Sequence, residues 1–382
     1  MKLLITTFTL VLLLFASCKS IQTSSTPIVG VELESQVLSI EAKSIVQSPK
    51  NIIIMIGDGM GLTQTTAAMY INGNEIAFER CPVVGLHKSS SSDNLITDSA
   101  AGATAFSCGK KTYNGAIGVN PDTIPCPTLL EDATQRGMAT GLVATSTIVH
   151  ATPASFFGHE PLRSSYENIA LQLSDSKVDF FVGGGKKFFD QRENDERNLI
   201  EEMKSKGRQV DDYFNKSFKR VKIDPTTQFG YFTANEDPLP VSQGRDYLIP
   251  ATREALKYLD KRDVDNKGFF LMVEGSQIDW GGHSNQSEYI ISETIEFAKA
   301  VDKVIDFAEK DGETLVVITA DHETGGYAIL EGSSQDSIIG GFSSDYHTAT
   351  MIPVFAFGPG SEEFSGIYEN TAIYDKLVKY FK

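Results

Sequence analysis

The chain has 382 residues, 41% hydrophobic and 22% charged, a size and balance that fit one large globular domain or two small ones. Its formal net charge of −16, with no Lys/Arg stripe to offset it, excludes a nucleic-acid-binding role. Anionic substrates stay open, because a bound dication would dominate the field inside a site.

In chain order, the first feature is a targeting segment over residues 1–17. Lys2 precedes an uncharged run from Leu3 to Ser17, too short to span a bilayer comfortably. Phe15-Ala16-Ser17-Cys18 resembles the cleavage and lipidation box of bacterial lipoproteins; the other reading is an ordinary signal peptide cut near Cys18. Both imply export, either to the periplasm or to an outer-membrane anchor with a membrane tether through Cys18. Residues 18–48, rich in Ser, Thr, Gln and Val, read as a tether ahead of a single domain over 49–382. The other cysteines, Cys81, Cys108 and Cys126, are not spaced like a metal cluster, and their spacing assigns no disulfide.

From Lys50 onward strand and helix alternate. Apolar runs predict strands at 51–56, near 140–143, and at 178–182, 269–273, 315–319 and 352–357. Between 269 and 319, residues 287–310 carry Ile290, Ile291, Ile295, Phe297, Val301, Val304 and Ile305 on helical spacing, which predicts an amphipathic helix. This alternation implies the α/β class, a three-layer sandwich with a largely parallel central sheet and helices on both faces. The stretch near 186–250 reads as an excursion from the sheet, since its charged part, 186–225, lacks strand-like runs. Residues 327–346 read as a short crown-like segment with little room for a large interface insert.

Side chains that ligate metals recur where these strands end. Asp58 follows the first strand within Gly57-Asp58-Gly59. Glu274 follows the 269–273 strand, with Asp279 and His283 just beyond. Asp321 and His322 follow the 315–319 strand, and His347 stands shortly before 352–357. Open α/β sheets build their sites at the carboxyl ends of strands. Seven Asp, Glu and His groups brought to one edge therefore point to a multinuclear metal site, with zinc at the nitrogen-rich positions and magnesium where only oxygen is offered. The paired glycines of Asp279-Trp280-Gly281-Gly282-His283 predict a chelating loop there and not a helix. Ser99, in Thr97-Asp98-Ser99-Ala100-Ala101-Gly102, opens a run of small residues. It reads both as a helix N-cap and as a nucleophile at a helix N-terminus. A Gly-x-Ser-x-Gly elbow is absent, so activation by a neighbouring His is not the favoured route.

Gly57-Asp58-Gly59, Thr97-Asp98-Ser99-Ala100, His150-Ala151-Thr152-Pro153, Glu274 through His283, Thr319 through Gly326 and His347-Thr348 together resemble, in order, the motifs of alkaline phosphatases. The pattern covers most of residues 50–382 and is most similar to the bacterial, cold-adapted type. The resemblance implies two zinc ions and one magnesium ion. Asp279, His283 and His347 would hold one zinc; Asp58, Asp321 and His322 the other, next to Ser99; Asp58, Thr152 and Glu274 the magnesium. Arg163 matches the arginine that grips two phosphate oxygens, and Asp98 lies beside the nucleophile. His150 and Trp280 stand near the third metal, where the best-known enterobacterial form has Asp and Lys. The activity implied is hydrolysis of phosphate monoesters of broad type through a phosphoserine intermediate, by a homodimer. The rivals are a phosphodiesterase or sulfatase of the same superfamily, and a non-catalytic metal-binding surface lipoprotein. Of the remaining histidines, His159 is expected to support the loop before Arg163, and His87 to lie at the surface.

Overall fold

Apolar runs that alternate between two hydrophobic faces dictate the centre of the fold. In the computed structural model, which describes residues 48–381, strand β1 (Asn51–Gly57) is buried along its whole length. Ile53 and Met55 point into one core, with Leu248, Leu256, Ile290 and Val301 from the helices Leu248–Arg262 and Ser287–Asp311. Ile52, Ile54 and Ile56 point into a second core, with Ala100, Phe106, Leu129 and Leu377 from the helices Ser99–Cys108, Leu129–Gln135 and Ala372–Val378. Sequestering both faces of one strand in this way makes the three layers, and each fully buried aliphatic side chain contributes about 1.5–3 kcal/mol. The targeting segment, Cys18 and the tether up to residue 47 lie outside the described residues.

The remaining strands of the central sheet are β2 (Val83–Lys88), β3 (Ala139–Thr147), β4 (Phe180–Gly184), β5 (Gln209–Asp212), β6 (Phe229–Phe232), β7 (Phe269–Gly275), β8 (Thr314–Thr319), β9 (Ile352–Phe357) and β10 (Gly366–Glu369). They are ordered β10-β2-β9-β8-β1-β7-β3-β4-β6-β5. Every pairing is parallel except those of β9, which runs antiparallel to both β2 and β8.

Three local expectations are corrected. The 186–250 stretch is not wholly an excursion: β5 and β6 return it to the sheet edge, paired with each other and, through β6, with β4. Residues Gln277–His283 form a helix, not a loop. His87 is fully buried in β2, with Nε2 2.8 Å from the Ala320 carbonyl and its ring edge-on to Phe106. Among the described residues no helix is long and apolar enough to cross a membrane.

Candidate active site

The carboxyl ends of the central parallel strands deliver the site. Asp58 leaves β1, Glu274 ends β7, and Asp321 and His322 leave β8; all four are fully buried. His347 precedes its strand, yet it reaches the same edge because β9 is antiparallel and enters the sheet where its neighbours leave it. His347–Thr348 pairs antiparallel with Glu323–Thr324, so His347 sits opposite Thr324.

The helix Gln277–His283 sets Asp279 and His283 four residues apart, and such pairs share one helix face. Its glycines are required by contact. A Cβ on Gly281 would stand 2.7 Å from the Ile290 backbone nitrogen, and one on Gly282 would stand 2.7 Å from Thr324 Cβ. Gly59 carries a positive φ of 72°, and a Cβ there would meet Asp279 Cα at 2.7 Å. The turn after β1 can therefore lie directly against the helix Gln277–His283 only without a side chain.

Three groups of donor atoms result, each with its atoms within 4.8 Å of one another: Asp279/His283/His347, Asp58/Asp321/His322 and Asp58/His150/Glu274. In the first, His283 Nε2 lies 3.1 Å from His347 Nε2 and 3.4 Å from Asp279 Oδ2. In the second, His322 Nε2 lies 3.2 Å from Asp321 Oδ2 and 3.6 Å from Asp58 Oδ1. The outer nitrogens are oriented by their own partners. His347 Nδ1 is 2.8 Å from the Thr97 carbonyl and His283 Nδ1 is 2.7 Å from that of Asp345. Such contacts fix ring orientation and leave Nε2 free to ligate. Thr152, in the short helix Ala151–Ala154, is fully buried, and its hydroxyl favours the charged form of Glu274. His150 packs edge-on to Trp280, ring centroids 6.2 Å apart.

Ser99 is the first residue of its helix, N-capped by Asp98, whose Oδ1 accepts from Ala101 N at 3.0 Å. Ser99 Oγ faces the second group, 3.4 Å from His322 Nε2. The other Asp98 oxygen accepts from Arg163 Nη1 at 2.9 Å and from Gly115 N at 3.0 Å. Arg163 Nη2 lies 3.4 Å from His150 Nε2. His159 stands apart, bonded to the Gly118 carbonyl and to Glu131 as a loop support.

The electrostatics fit bound dications. Both Asp58 carboxylate oxygens, Glu274 Oε1 and Asp321 Oδ2 are buried with no hydrogen-bond partner, a costly arrangement unless a cation compensates them. Burial, then the charges of Asp321, Asp279 and Glu274, pushes the Asp58 carboxyl well above its usual range. Glu274 is pushed up to about 8, chiefly by burial and against the hydrogen bond from Ser276. Burial likewise raises Asp321 and drives the His322 imidazole far down, toward its neutral, metal-ligating form. His150 is lowered to about 3 by burial and by the charge of Arg163.

Two contributors escaped the sequence reading. Thr324 Oγ1 donates to Asp279 Oδ1 at 2.5 Å and lies 3.2 Å from His322 Nδ1, so it links two donor groups. Its position two residues beyond His322, on the same face of an extended segment, is a signal that could have found it. Asn114 bonds the Asp98 nitrogen and the Ile96 carbonyl. Asn114-Gly115 reads as an ordinary turn dipeptide, so nothing local ties it to Ser99.

A mostly parallel α/β sheet with carboxylate–imidazole groups and a helix-opening serine at its carboxyl edge defines a hydrolase of the metal-assisted type. The sequence profile described as "Alkaline phosphatase" matches residues 49–339. Alkaline phosphatase 3 of Bacillus subtilis is 42% identical over 323 residues, 80% of this chain and 67% of that protein. Alkaline phosphatase 4 of the same organism is 32% identical, over 92% and 93% of the two chains. The alkaline phosphatase of the Antarctic bacterium TAB5 superposes with a TM-score of 0.81 at 41% identity, covering 88% of this chain and 98% of that one. A variant of that enzyme, with a histidine replaced by aspartate, has magnesium bound in its M3 site. The chain belongs to the alkaline phosphatase family, and metal-dependent hydrolysis of phosphate monoesters is its activity.

Proposed function

We propose that Ser99 is the nucleophile of this phosphomonoesterase and Arg163 its phosphate clamp. The observation that carries this reading is the position of Ser99 Oγ, at a helix N-terminus and 3.4 Å from His322 Nε2, beside an arginine held through Asp98. Asp279, His283 and His347 would hold one zinc; Asp58, Asp321 and His322 a second; Asp58, Thr152 and Glu274 a magnesium. When bound, these cations would neutralise the crowded carboxylates, lower the pKa of nearby hydroxyl groups and balance charge developing on oxygen. His150, within reach of Asp58 and Glu274, would occupy here the place of the histidine exchanged in the magnesium-holding variant of the Antarctic enzyme, with Trp280 packed against it.

Ser99 Oγ would attack phosphorus while the bond from phosphorus to the ester oxygen breaks and the alcohol departs. Water would then attack the phosphoserine, releasing phosphate and restoring the hydroxyl. Arg163 would bind two nonbridging oxygens through its fork, and the helix N-terminus would stabilise the same negative charge. No side chain in this arrangement grips the leaving alcohol, which supports a broad range of monoesters. Residues 1–17 would direct export, Cys18 would tether the protein to the outer membrane, and two copies would pair as a homodimer.

Ser99→Ala tests the covalent step. Hydrolysis of p-nitrophenyl phosphate should fall by about a thousandfold or more, with bound metal and phosphate affinity retained, because other side chains hold both. Acid quenching of the wild-type enzyme during turnover should trap phosphate on the peptide that contains Ser99. Turnover of the alanine variant at the wild-type rate would remove Ser99 from the mechanism.

A further inference from the structure

Beyond the phosphatase site, two thiols meet at the foot of the loop that supports it. Cys108 closes the helix that Ser99 opens, and Cys126 ends the loop that follows, just before the helix Leu129–Gln135. Cys108 Sγ lies 3.5 Å from the Cys126 carbonyl oxygen, and Cys126 Sγ lies 3.7 Å from the carbonyl oxygen of Ile124 in the same loop. Both are buried, at 4% and 8% exposure. The loop between them is pinned by Cys126 N donating to the Gly118 carbonyl at 2.9 Å and by a bridge between Val119 and Pro125. Cys81 belongs to the core on the opposite face of the sheet, so it is no rival partner.

The same loop reaches the site. Asn114 holds the backbone of Asp98, Gly115 N donates to the Asp98 carboxylate, and Arg163 N donates to the Gly115 carbonyl at 2.7 Å. Tying the end of this loop to the helix of Ser99 would therefore brace the scaffold that carries both the nucleophile and the clamp.

We propose that Cys108 and Cys126 form a disulfide when the chain meets a disulfide-donating oxidant. The Cys126 thiolate attacks the donor disulfide, forming a mixed disulfide and releasing one donor thiolate. Cys108 then loses its proton and attacks the Cys126 sulfur, releasing the second. The protein is oxidised by two electrons and the donor is reduced to two thiols. Cys126 is suited to the first step because the neighbouring Cys108 side chain lowers its thiol to about 7.

The test is to refold and metal-load the full chain with oxidised glutathione as the donor, then digest it with trypsin without reduction. Cleavage at Lys88, Lys110, Lys111 and Arg136 separates the two cysteines, so the disulfide should join peptide 89–110 to peptide 112–136. Closing so short a loop should also raise the melting temperature by several degrees over the reduced protein. Cys108→Ser and Cys126→Ser should each lose that response to reductant. Two free thiols after this treatment, glutathione left on Cys126 alone, a cross-link through Cys81, or a melting temperature indifferent to reductant would each overturn the proposal.

Discussion

Arg163 depends on Asp98 for its aim. The carboxylate takes one guanidinium nitrogen at 2.9 Å, and His150 stands 3.4 Å from another, so the planar fork has few other orientations. A lysine could supply the charge but not the two-point geometry. Arg163→Ala should weaken inorganic phosphate and monoester binding by about 1.5–3 kcal/mol, the range for charge-assisted hydrogen bonds. Diesters offer one charged oxygen fewer and should lose less. Inhibition constants for phosphate and KM values for paired mono- and diester substrates decide the matter; equal losses in both classes would make Arg163 a scaffold residue. Asp98 in turn is held by Ala101 N and Gly115 N, so Arg163→Lys should recover less than half of that lost free energy.

At the scale of elements, the legible parts were those whose pattern reflects burial on both faces. β1, β7, β8 and β9 were legible because Ile, Val, Leu and Phe run through them without polar interruption, and the candidate metal-binding side chains were legible with them because they sit where those runs end. β2, β5 and β10 lie at or beside the sheet margins with partly exposed residues, and so carry no comparable signal. His87 departs from its expected surface position for this reason: β2 mixes exposed and buried positions, and the histidine occupies a buried one. The helix Gln277–His283 was missed because two adjacent glycines disfavour helix by roughly 1 kcal/mol each, a penalty that local sequence cannot show to be offset. Tertiary contact offsets it, since Gly281 and Gly282 let the helix press against Ile290 and Thr324. Gly281→Ala should then destabilise the protein by about 1–3 kcal/mol, the usual cost of overpacking, despite alanine being the better helix former. Denaturant midpoints together with zinc retention under mild chelation would check it. An alanine variant of unchanged or increased stability would show that the helix can shift away from Ile290 without loss.

For the molecule as a whole, the same cluster sets how stability without metal depends on pH. Glu274 has an ordinary value of 4.5 and a folded value of about 8, raised chiefly by burial. Between those values the folded metal-free chain keeps a proton that the unfolded chain has released, so stability falls as pH rises through that window and levels off above it. Asp58 and Asp321, also raised by burial, act in the same direction. The buried histidines oppose this only below about 6.5. His322, His150 and His87 all stay neutral in the fold while their unfolded forms take up protons there. Other groups, such as the Cys126 thiol at about 7, also titrate between pH 6.5 and 8, so the comparison of wild type with Glu274→Gln is what isolates this carboxyl; over those 1.5 units Glu274 alone should cost about 2 kcal/mol. Bound dications reverse the balance, because they require the ionised carboxylates and so bind better as pH rises. Denaturant unfolding of chelated wild type and chelated Glu274→Gln at both pH values should show the wild type losing about 2 kcal/mol more than the variant, while the metal-loaded wild type gains on its own metal-free form. Equal pH slopes for wild type and variant would mean that Glu274 is already ionised in the metal-free fold, and that the cluster is open to water before any cation arrives.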